Sequence, residues 1–239
     1  MAFRHGKSAA VLYNAYDLST YYNSGDVSHD LDVADTSTYG STAKTFIVGL
    51  RDGKVSLSGL WDGSLNAVDE VLSTVLGAEA SDVVTFCPEG NVLGRRAYSM
   101  LVKQATYKIT APVTDAVKSS TDLQCDGGAD SATVLSGASV VTATGTGTSV
   151  DQLAGSTLGG VGYLHVTANT RNAAGTFKVQ HSVDNSAWVD LITFASVLTS
   201  TVTSERITVS GTVNRYVRAS HTIAGATGST TYSMTFSRR

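Results

Sequence analysis

Histidine and cysteine are the side chains most able to bind a metal or attack a substrate, and here they are scattered. The five histidines show no HxxxH or HExxH spacing. His165 and His181 lie on predicted strands that could pair, so a two-histidine metal site is one interpretation. The favoured interpretation is that both are half-buried strand histidines, each satisfied by a hydrogen bond. Cys87 and Cys125 lack CxxC spacing, which favours buried thiols and leaves a single bridge open.

Two glycine segments superficially resemble phosphate-binding loops. Gly145-Thr146-Gly147 and Gly159-Gly160-Val161-Gly162 complete neither GxGxxG nor GxxxxGK[ST], and neither clearly opens a helix. Both are interpreted as turn or linker glycines. With no nucleophile, base or ligand set in place, the chain is predicted not to be an enzyme and to hold no cofactor or metal.

Four carboxylates form a second kind of candidate site. Asp26, Asp30, Asp32 and Asp35 lack the glycine and distal glutamate of an EF-hand. They are either a solvated acidic loop or a functional negative surface. Trp188 follows a predicted hairpin turn and is either a sugar-stacking platform, exposed on the C-terminal domain, or a core or rim aromatic.

Charge and composition narrow the class of partner. Residues 1–135 carry 16 acidic and 10 basic side chains, and residues 136–239 carry 4 and 7, within a net charge of −3. An acidic first half disfavours binding of nucleic acid through phosphate neutralisation, which needs clustered Lys and Arg. No apolar run approaches the roughly 20 residues that span a bilayer, so membrane insertion is not predicted. The excess of β-branched residues and glycine-marked turns favours an all-β fold.

One strand and one helix stand out along the chain. Lys54–Trp61 alternates with a period of two, placing Val55, Leu57 and Gly59 on one face. Residues 64–76 then predict an amphipathic helix with Ser64 as N-cap and Gly77 as a left-handed C-cap. Its expected packing face consists of Leu65, Val68, Val71, Leu72, Val75 and Leu76.

The remaining pattern divides the chain in two. Residues 17–44 are a long polar segment with partial strand character, of a kind that is commonly functional or ordered by a partner. Strands are expected at Val83–Cys87, Arg96–Thr110 and Ala116–Cys125. Residues 136–150 are rich in Gly, Ser and Thr and predict a linker between a domain at 1–135 and one at 151–239. Six short strands in the latter predict a β-sandwich of immunoglobulin-like size.

The first half of the chain contains, in order, a short N-terminal strand, the polar segment at residues 17–44, FIVGLRDGKVSLSGLWDG, one helix and a long hairpin. This order resembles that of a known family. It is similar to the major tail protein, or tail tube protein, of long-tailed (siphovirus-type) bacteriophages, in the pattern of phages that infect actinobacteria. Gly49–Gly63 resembles the strand–turn–helix entrance of that fold. The segments GGVGYLHVTANT, FKVQHSVDNSAWVDLITF and ERITVSGTVNRYVRASHTIAG resemble an Ig-like decoration domain.

The resemblance implies an all-β protein with an N-terminal tail-tube β-sandwich or barrel and a C-terminal Ig-like sandwich. It implies a structural virion protein, made in the host cytoplasm, that assembles with itself into stacked hexameric rings. The tube conducts the genome into the host, so DNA passes without specific binding and the acidic segment would face the lumen or the next ring. Further partners would be tape measure, terminator and tail-tip proteins, with weak glycan contact by the outer domain.

Two other classes of function stay open from the sequence. One is another phage structural role, such as a head decoration, tail-tip or terminator protein. The other is a carbohydrate-binding adhesin module.

Overall fold

The computed structural model of the protein describes residues 5–225 and 227–239. Strands form nearly all of its regular secondary structure, with one short α-helix in these ranges, so the predicted all-β class is confirmed. None of the helices in the described ranges has the length and apolar character to span a bilayer. The elements are β1 (Ala10–Tyr13), β2 (Tyr16–Asp17), β3 (Tyr22–Asp35), β4 (Phe46–Leu60), α1 (Val68–Ser73), β5 (Asp82–Cys87), β6 (Arg96–Thr110), β7 (Lys118–Cys125), β8 (Asp130–Val141), β9 (Gly145–Thr146), β10 (Val150–Asp151), β11 (Gly160–Asn169), β12 (Gly175–Ser182), β13 (Val189–Thr193), β14 (Thr203–Val209), β15 (Tyr216–Ile223) and β16 (Thr230–Arg238).

Two compact units interleave along the chain. Tyr21–Ser81 and Met100–Ala129 form one, which we call the hairpin unit. The described residues through Thr20, with Asp82–Ser99 and Asp130–Arg239, form the other, the sandwich unit. The sequence instead predicts consecutive domains at 1–135 and 151–239.

Strand β8 explains why residues 136–150 are not a simple linker. It pairs with β16, with Thr133 opposite Phe236 and Val141 opposite Thr230. Leu135 on β8 is buried in the hydrophobic core of the sandwich unit. The small residues that suggest a linker therefore alternate along a sheet strand, and β9 and β10 follow within the same range.

The sandwich unit buries a core between two sheets. One contains β14-β11-β16-β8 and the other β10-β15-β12-β13, with β9 also on β15. Its core includes Phe177 and Val179 from one sheet and Tyr232, Met234 and Phe236 from the other. The six strands predicted after residue 151 all occur, with shifts of a few residues at their ends. The predicted hairpin turn also occurs, because Asp184 Oδ1 accepts hydrogen bonds from the amides of Ser186 and Ala187, both at 2.9 Å.

The hairpin unit is an antiparallel sheet in the order β3-β4-β7-β6. The buried positions of β4 are Gly53, Val55, Leu57 and Gly59, so the predicted period of two is confirmed. Tyr107 on β6 lies opposite Thr121, which lies opposite Leu57, and residues in register share a face. Tyr107 Oη donates to Asp69 Oδ1 on α1 at 2.8 Å. Helix α1 therefore lies on the apolar face of this sheet and leaves the polar face open.

Candidate assembly surface

Strands β3 and β4 form a hairpin that continues past the other strands of its sheet. They are 14 and 15 residues long, whereas about 5–6 is usual. Strand β7 pairs with β4 only from Lys54 to Leu60. Residues 31–50 therefore form a two-stranded projection with its turn, which we call the arm.

The arm is apolar on its surface. Its large hydrophobic side chains are each exposed by 46 % or more. They are Leu31, Val33, Tyr39, Phe46, Ile47, Val48 and Leu50. By register, Leu31, Val33, Phe46 and Val48 share one face of the hairpin and Ile47 lies on the other. A two-stranded hairpin is marginally stable alone, and an exposed apolar face of this kind marks an interaction site.

Local hydrogen bonds order the turn of the arm. The amide of Thr36 donates to Thr45 O at 2.8 Å, and the two threonine hydroxyls lie 3.0 Å apart. Asp35 Oδ1 accepts from the amide of Ser37 at 2.9 Å, and Lys44 Nζ lies 3.7 Å from Asp35. Hydrogen bonds from the Ser37 hydroxyl and the Ser37 amide, with a smaller contribution from Lys44, hold the pKa of Asp35 below its ordinary value. The arm is therefore preformed, and the polar segment predicted over residues 17–44 is largely strand.

Strand β3 also has an open edge. Among the described residues β4 is the one strand that pairs with it. An edge strand of this length presents a row of backbone donors and acceptors to any second chain. The bulge at Asn23, which has no partner residue on β4, is the one irregularity near its start.

The open face of the same sheet is polar and cross-linked. Asp26 lies opposite Ser56, Ser56 opposite Asp122, and Asp122 opposite Thr106. Asp122 accepts from Ser56 Oγ at 2.7 Å and pairs with Lys54 Nζ at 2.9 Å. These two contacts lower the pKa of Asp122, so the face carries fixed negative charge. A cleft of about 150 Å³ lies between Asp26 and Asp122.

The four carboxylates predicted as one segment do not form a cluster. Asp26 and Asp30 lie on the open face, in register with Ser56 and Asp52. Asp32 lies at a register shift, and Asp35 lies at the turn of the arm. All four are exposed. Nine residues of strand separate the first from the last, about 30 Å.

The predicted packing face of the helix is only partly buried. Helix α1 covers Val68–Ser73 rather than 64–76, and Val68, Val71 and Leu72 are buried. Leu65 is 80 % and Leu76 51 % exposed, and Val75 is half-buried. The place of Leu65 and Leu76 in the predicted packing face is therefore wrong.

The helix also starts later than predicted. Asp62 Oδ1 accepts from the amide of Ser64 at 2.8 Å and forms a separate turn, so the N-cap is Ala67 instead of Ser64. Gly77 has φ of +84°, the left-handed conformation expected there.

Trp188 is half-buried in the sandwich unit rather than fully exposed. The Arg218 guanidinium lies 4.1 Å from the centroid of its ring, a cation–π distance. Arg218 Nε also donates to Gln180 Oε1 at 2.9 Å. One face of the indole is therefore covered by a fixed side chain.

The contacts of His165, His181 and the two cysteines indicate structural roles for these side chains. His165 is fully buried, with Nδ1 2.7 Å from Asn14 O and Nε2 2.8 Å from Thr85 Oγ1. His181 Nδ1 accepts from the amide of Asn214 at 3.1 Å. Burial raises the pKa of the Cys87 thiol to about 12, and neither cysteine forms a disulfide. No group of three metal-binding side chains occurs in the part of the chain that the structure describes.

No protein-family model and no curated protein matches the chain. Among solved structures, it is similar to a chain of the virion of a native gene transfer agent particle, at 10 % identity over 54 % of this chain and 98 % of that one, TM-score 0.46. It is similar to a chain of the tail of an empty gene transfer agent particle with C6 symmetry, at 8 % identity, the same coverages and TM-score 0.45. The SPP1 Dit protein, described as a hub of the adsorption apparatus in phages infecting Gram-positive bacteria, matches at 14 % identity over 95 % of this chain and 98 % of that one, TM-score 0.36. At TM-scores below 0.5, these likenesses establish neither a shared fold nor a shared function.

Sequence reasoning missed the apolar surface of the arm. Phe46-Ile47-Val48 and Leu50 form an apolar run, which usually predicts a buried strand. They follow a polar turn immediately and lie in the part of β4 that pairs with β3 alone, which leaves them exposed. The signal was the length of the polar segment that precedes them.

Proposed function

We propose that this chain is a structural subunit of a phage-type tail tube, in which copies assemble as stacked hexameric rings around a conduit for genome ejection. The observation that carries the proposal is the hairpin unit, with its open β3 edge and exposed apolar arm. Both features are costly for an isolated chain in water and are removed when copies join.

The open edge of β3 suits closure into a ring. If the sheet of one copy continues into the sheet of the next, every backbone group on the edge gains a partner. A closed ring of identical contacts leaves no edge for uncontrolled pairing. In this proposal β3 forms the contact between copies within a ring, and the arm extends beyond that ring.

The charge of the hairpin unit suits a conduit for DNA. By its residue ranges this unit contains 12 acidic and 6 basic side chains, so the whole acidic excess of the chain lies there. A wall of like charge repels phosphate and keeps the polymer mobile. Asp26 and Asp30 on the open face, with Asp122, are proposed to face the lumen.

The sequence resemblance supplies the remaining roles in this proposal. The subunit would be made in the host cytoplasm, reside in the virion tail and contact tape measure, terminator and tail-tip proteins. The sandwich unit would be an outward Ig-like decoration. Weak glycan contact near Trp188 is proposed through the face of the indole that Arg218 leaves uncovered. No catalytic step is assigned to any residue.

Negative-stain electron microscopy of the purified full chain tests the proposal. Wild type at increasing concentration is expected to give rings and open-ended tubes. Asn23→Pro removes a backbone donor from the β3 edge at a position without a β4 partner, and is expected to remain folded but to lose the rings. Asn23→Ala keeps the donor and should assemble like wild type. Rings that form equally well in Asn23→Pro would exclude this edge from the contact.

A further inference from the structure

The hairpin unit exposes apolar side chains at both ends of its sheet. The arm occupies one end. The other end, which we call the Trp61 end, contains Leu60, Trp61, Leu65, Ile109 and Val113, exposed by 36 to 104 %. These residues come from the end of β4, the loop before α1 and the β6–β7 turn.

The register of the sheet places these residues at one end. Ile109 lies opposite Ser119, which lies opposite Gly59, two residues before Trp61. The amide of Trp61 donates to Val117 O at 3.0 Å. The indole rests on Gly63, where an added Cβ would lie 2.8 Å from the ring. Trp61 is therefore held in place as a half-exposed aromatic.

A single chain cannot bring its own arm to its Trp61 end. Strand β4 has 15 residues, and at about 3.3 Å per residue the two ends lie roughly 50 Å apart. Both ends belong to one antiparallel sheet whose strands are joined by hydrogen bonds. Contact between them requires two copies.

The two surfaces match in size. With about 150–250 Å² for a large aromatic side chain and somewhat less for an aliphatic one, the exposed fractions of the four side chains that share one face of the arm (Leu31, Val33, Phe46 and Val48) correspond to roughly 400 Å². The same reckoning gives roughly 500 Å² for the Trp61 end. A standard interface buries about 800 Å² per partner, including its polar rim. Each surface supplies the apolar centre of such an interface.

We propose that the arm of one copy packs on the Trp61 end of the next, as a head-to-tail contact between identical chains. A symmetric contact of arm on arm would leave the Trp61 end uncovered in every copy. A head-to-tail contact covers both surfaces and repeats without limit or closes a ring. This inference rests on the proposed assembly of copies and specifies its donor and acceptor surfaces.

Two variants that each block one surface test the inference. Leu31→Asp with Val48→Asp blocks the apolar face of the arm, and Leu65→Asp with Val113→Asp blocks the Trp61 end. All four positions are at least 46 % exposed, so the fold should be retained, as circular dichroism would check. Leu158→Asp with Val183→Asp, both at 72 % exposed positions of the sandwich unit, is the matched control.

Mass photometry of the full chain gives the readout. Each blocked variant alone should stop at an assembly of fixed, low mass, while the assemblies of the control increase in mass with concentration like those of wild type. An equimolar mixture retains one intact arm and one intact Trp61 end, so it should form a 1:1 complex with twice the mass of either species alone.

Four outcomes would overturn the inference. Growth of the Trp61-end variant like wild type, with only the arm variant arrested, indicates arm-on-arm contact. Two arrested variants whose mixture gives no 1:1 complex exclude direct contact of the two surfaces. Wild-type growth in both variants removes both surfaces from assembly while the proposed tube function stands; a wild type that never assembles contradicts both proposals.

Discussion

At the scale of residues, the sandwich unit is held in part by buried polar side chains, such as Arg171 and His165, whose hydrogen-bond partners are backbone carbonyls or neutral groups. Arg171 is 1 % exposed. Its two terminal nitrogens donate to the carbonyls of Thr142, Gly228, Ala224 and Gly225 at 2.7 to 3.1 Å. The guanidinium therefore joins three chain segments that meet at one end of the sandwich.

Replacing Arg171 should cost far more stability than replacing an exposed arginine. Arg171→Met leaves four carbonyls without their donors, and we expect a loss of about 3 kcal/mol or more in the free energy of unfolding. Arg215→Met is the control, since its ion pair with Asp151 is solvent-exposed and should contribute little to stability. Urea titrations of both variants measure this. Equal losses would contradict the structural role of Arg171.

His165 should make stability fall on acidification. Burial lowers its pKa to about 4, against an ordinary value of 6.5. Between these values the unfolded chain binds the proton and the folded chain does not, so stability is full above pH 6.5 and declines toward pH 4. A shift of this size corresponds to roughly 3 kcal/mol.

The His165 prediction is checked by the difference between two pH profiles. Wild type and His165→Gln are unfolded in urea from pH 4.5 to 7.5. The wild-type free energy of unfolding should fall more steeply with decreasing pH, because His181 and His221 contribute equally to both curves. Parallel curves would refute the assignment.

At the residue scale, the only prediction about chemistry that the sequence allows is that known catalytic and metal-binding motifs are missing from it. The interpretation of His165 and His181 as hydrogen-bonded strand histidines agrees with their contacts. The burial of Arg171 was not foreseeable, because its four acceptors are backbone carbonyls, three of which lie more than fifty residues further along the chain.

At the scale of elements, Gly59 controls how β3 enters the hairpin. A Cβ on Gly59 would lie 2.0 Å from Tyr21 O, which accepts a hydrogen bond from the amide of Leu60 at 2.7 Å. Gly59→Ala should therefore displace the start of β3 and cost about 2–3 kcal/mol of stability. Gly40→Ala is the control, because no atom lies within 4 Å of its added Cβ. Thermal melts that shift equally for both would contradict this.

The accuracy of the sequence interpretation depended on burial. The strand at Arg96–Thr110 was predicted over the same residues as β6, since its first half alternates against a core. The start of β4 was missed because residues 46–52 are exposed on both faces and show no period of two. The helix was predicted too long because Leu65 and Leu76 fit the periodicity but have no surface to pack on.

At the scale of the whole molecule, the interleaving of units could not be read from one sequence. Strand β8 pairs with both β6 and β16, partners about 30 and 100 residues away. Local composition at residues 136–150 contains no signal of such remote pairing. The acidity of the first half was visible, but its confinement to the hairpin unit needed the division of the chain.

The confinement of the acidic excess to the hairpin unit predicts how assembled copies interact with DNA. Replacing Asp26 and Asp30 by Asn removes two negative charges per subunit from exposed positions on the open face and should leave folding unchanged. Assembled variant is expected to retain double-stranded DNA in co-sedimentation at low salt, whereas assembled wild type does not. Retention should decline as salt is raised. Equal behaviour of the two would place these residues away from the DNA path.

The central claim is that copies close through the hairpin unit into rings of six. Native mass spectrometry of the purified chain, at a concentration where rings first appear by microscopy, tests it most directly. The account predicts a dominant species of six times 24.8 kDa and multiples of that mass, lost in Asn23→Pro and retained in Asn23→Ala. A chain that stays monomeric at every concentration, or a dominant ring of another number, would contradict it.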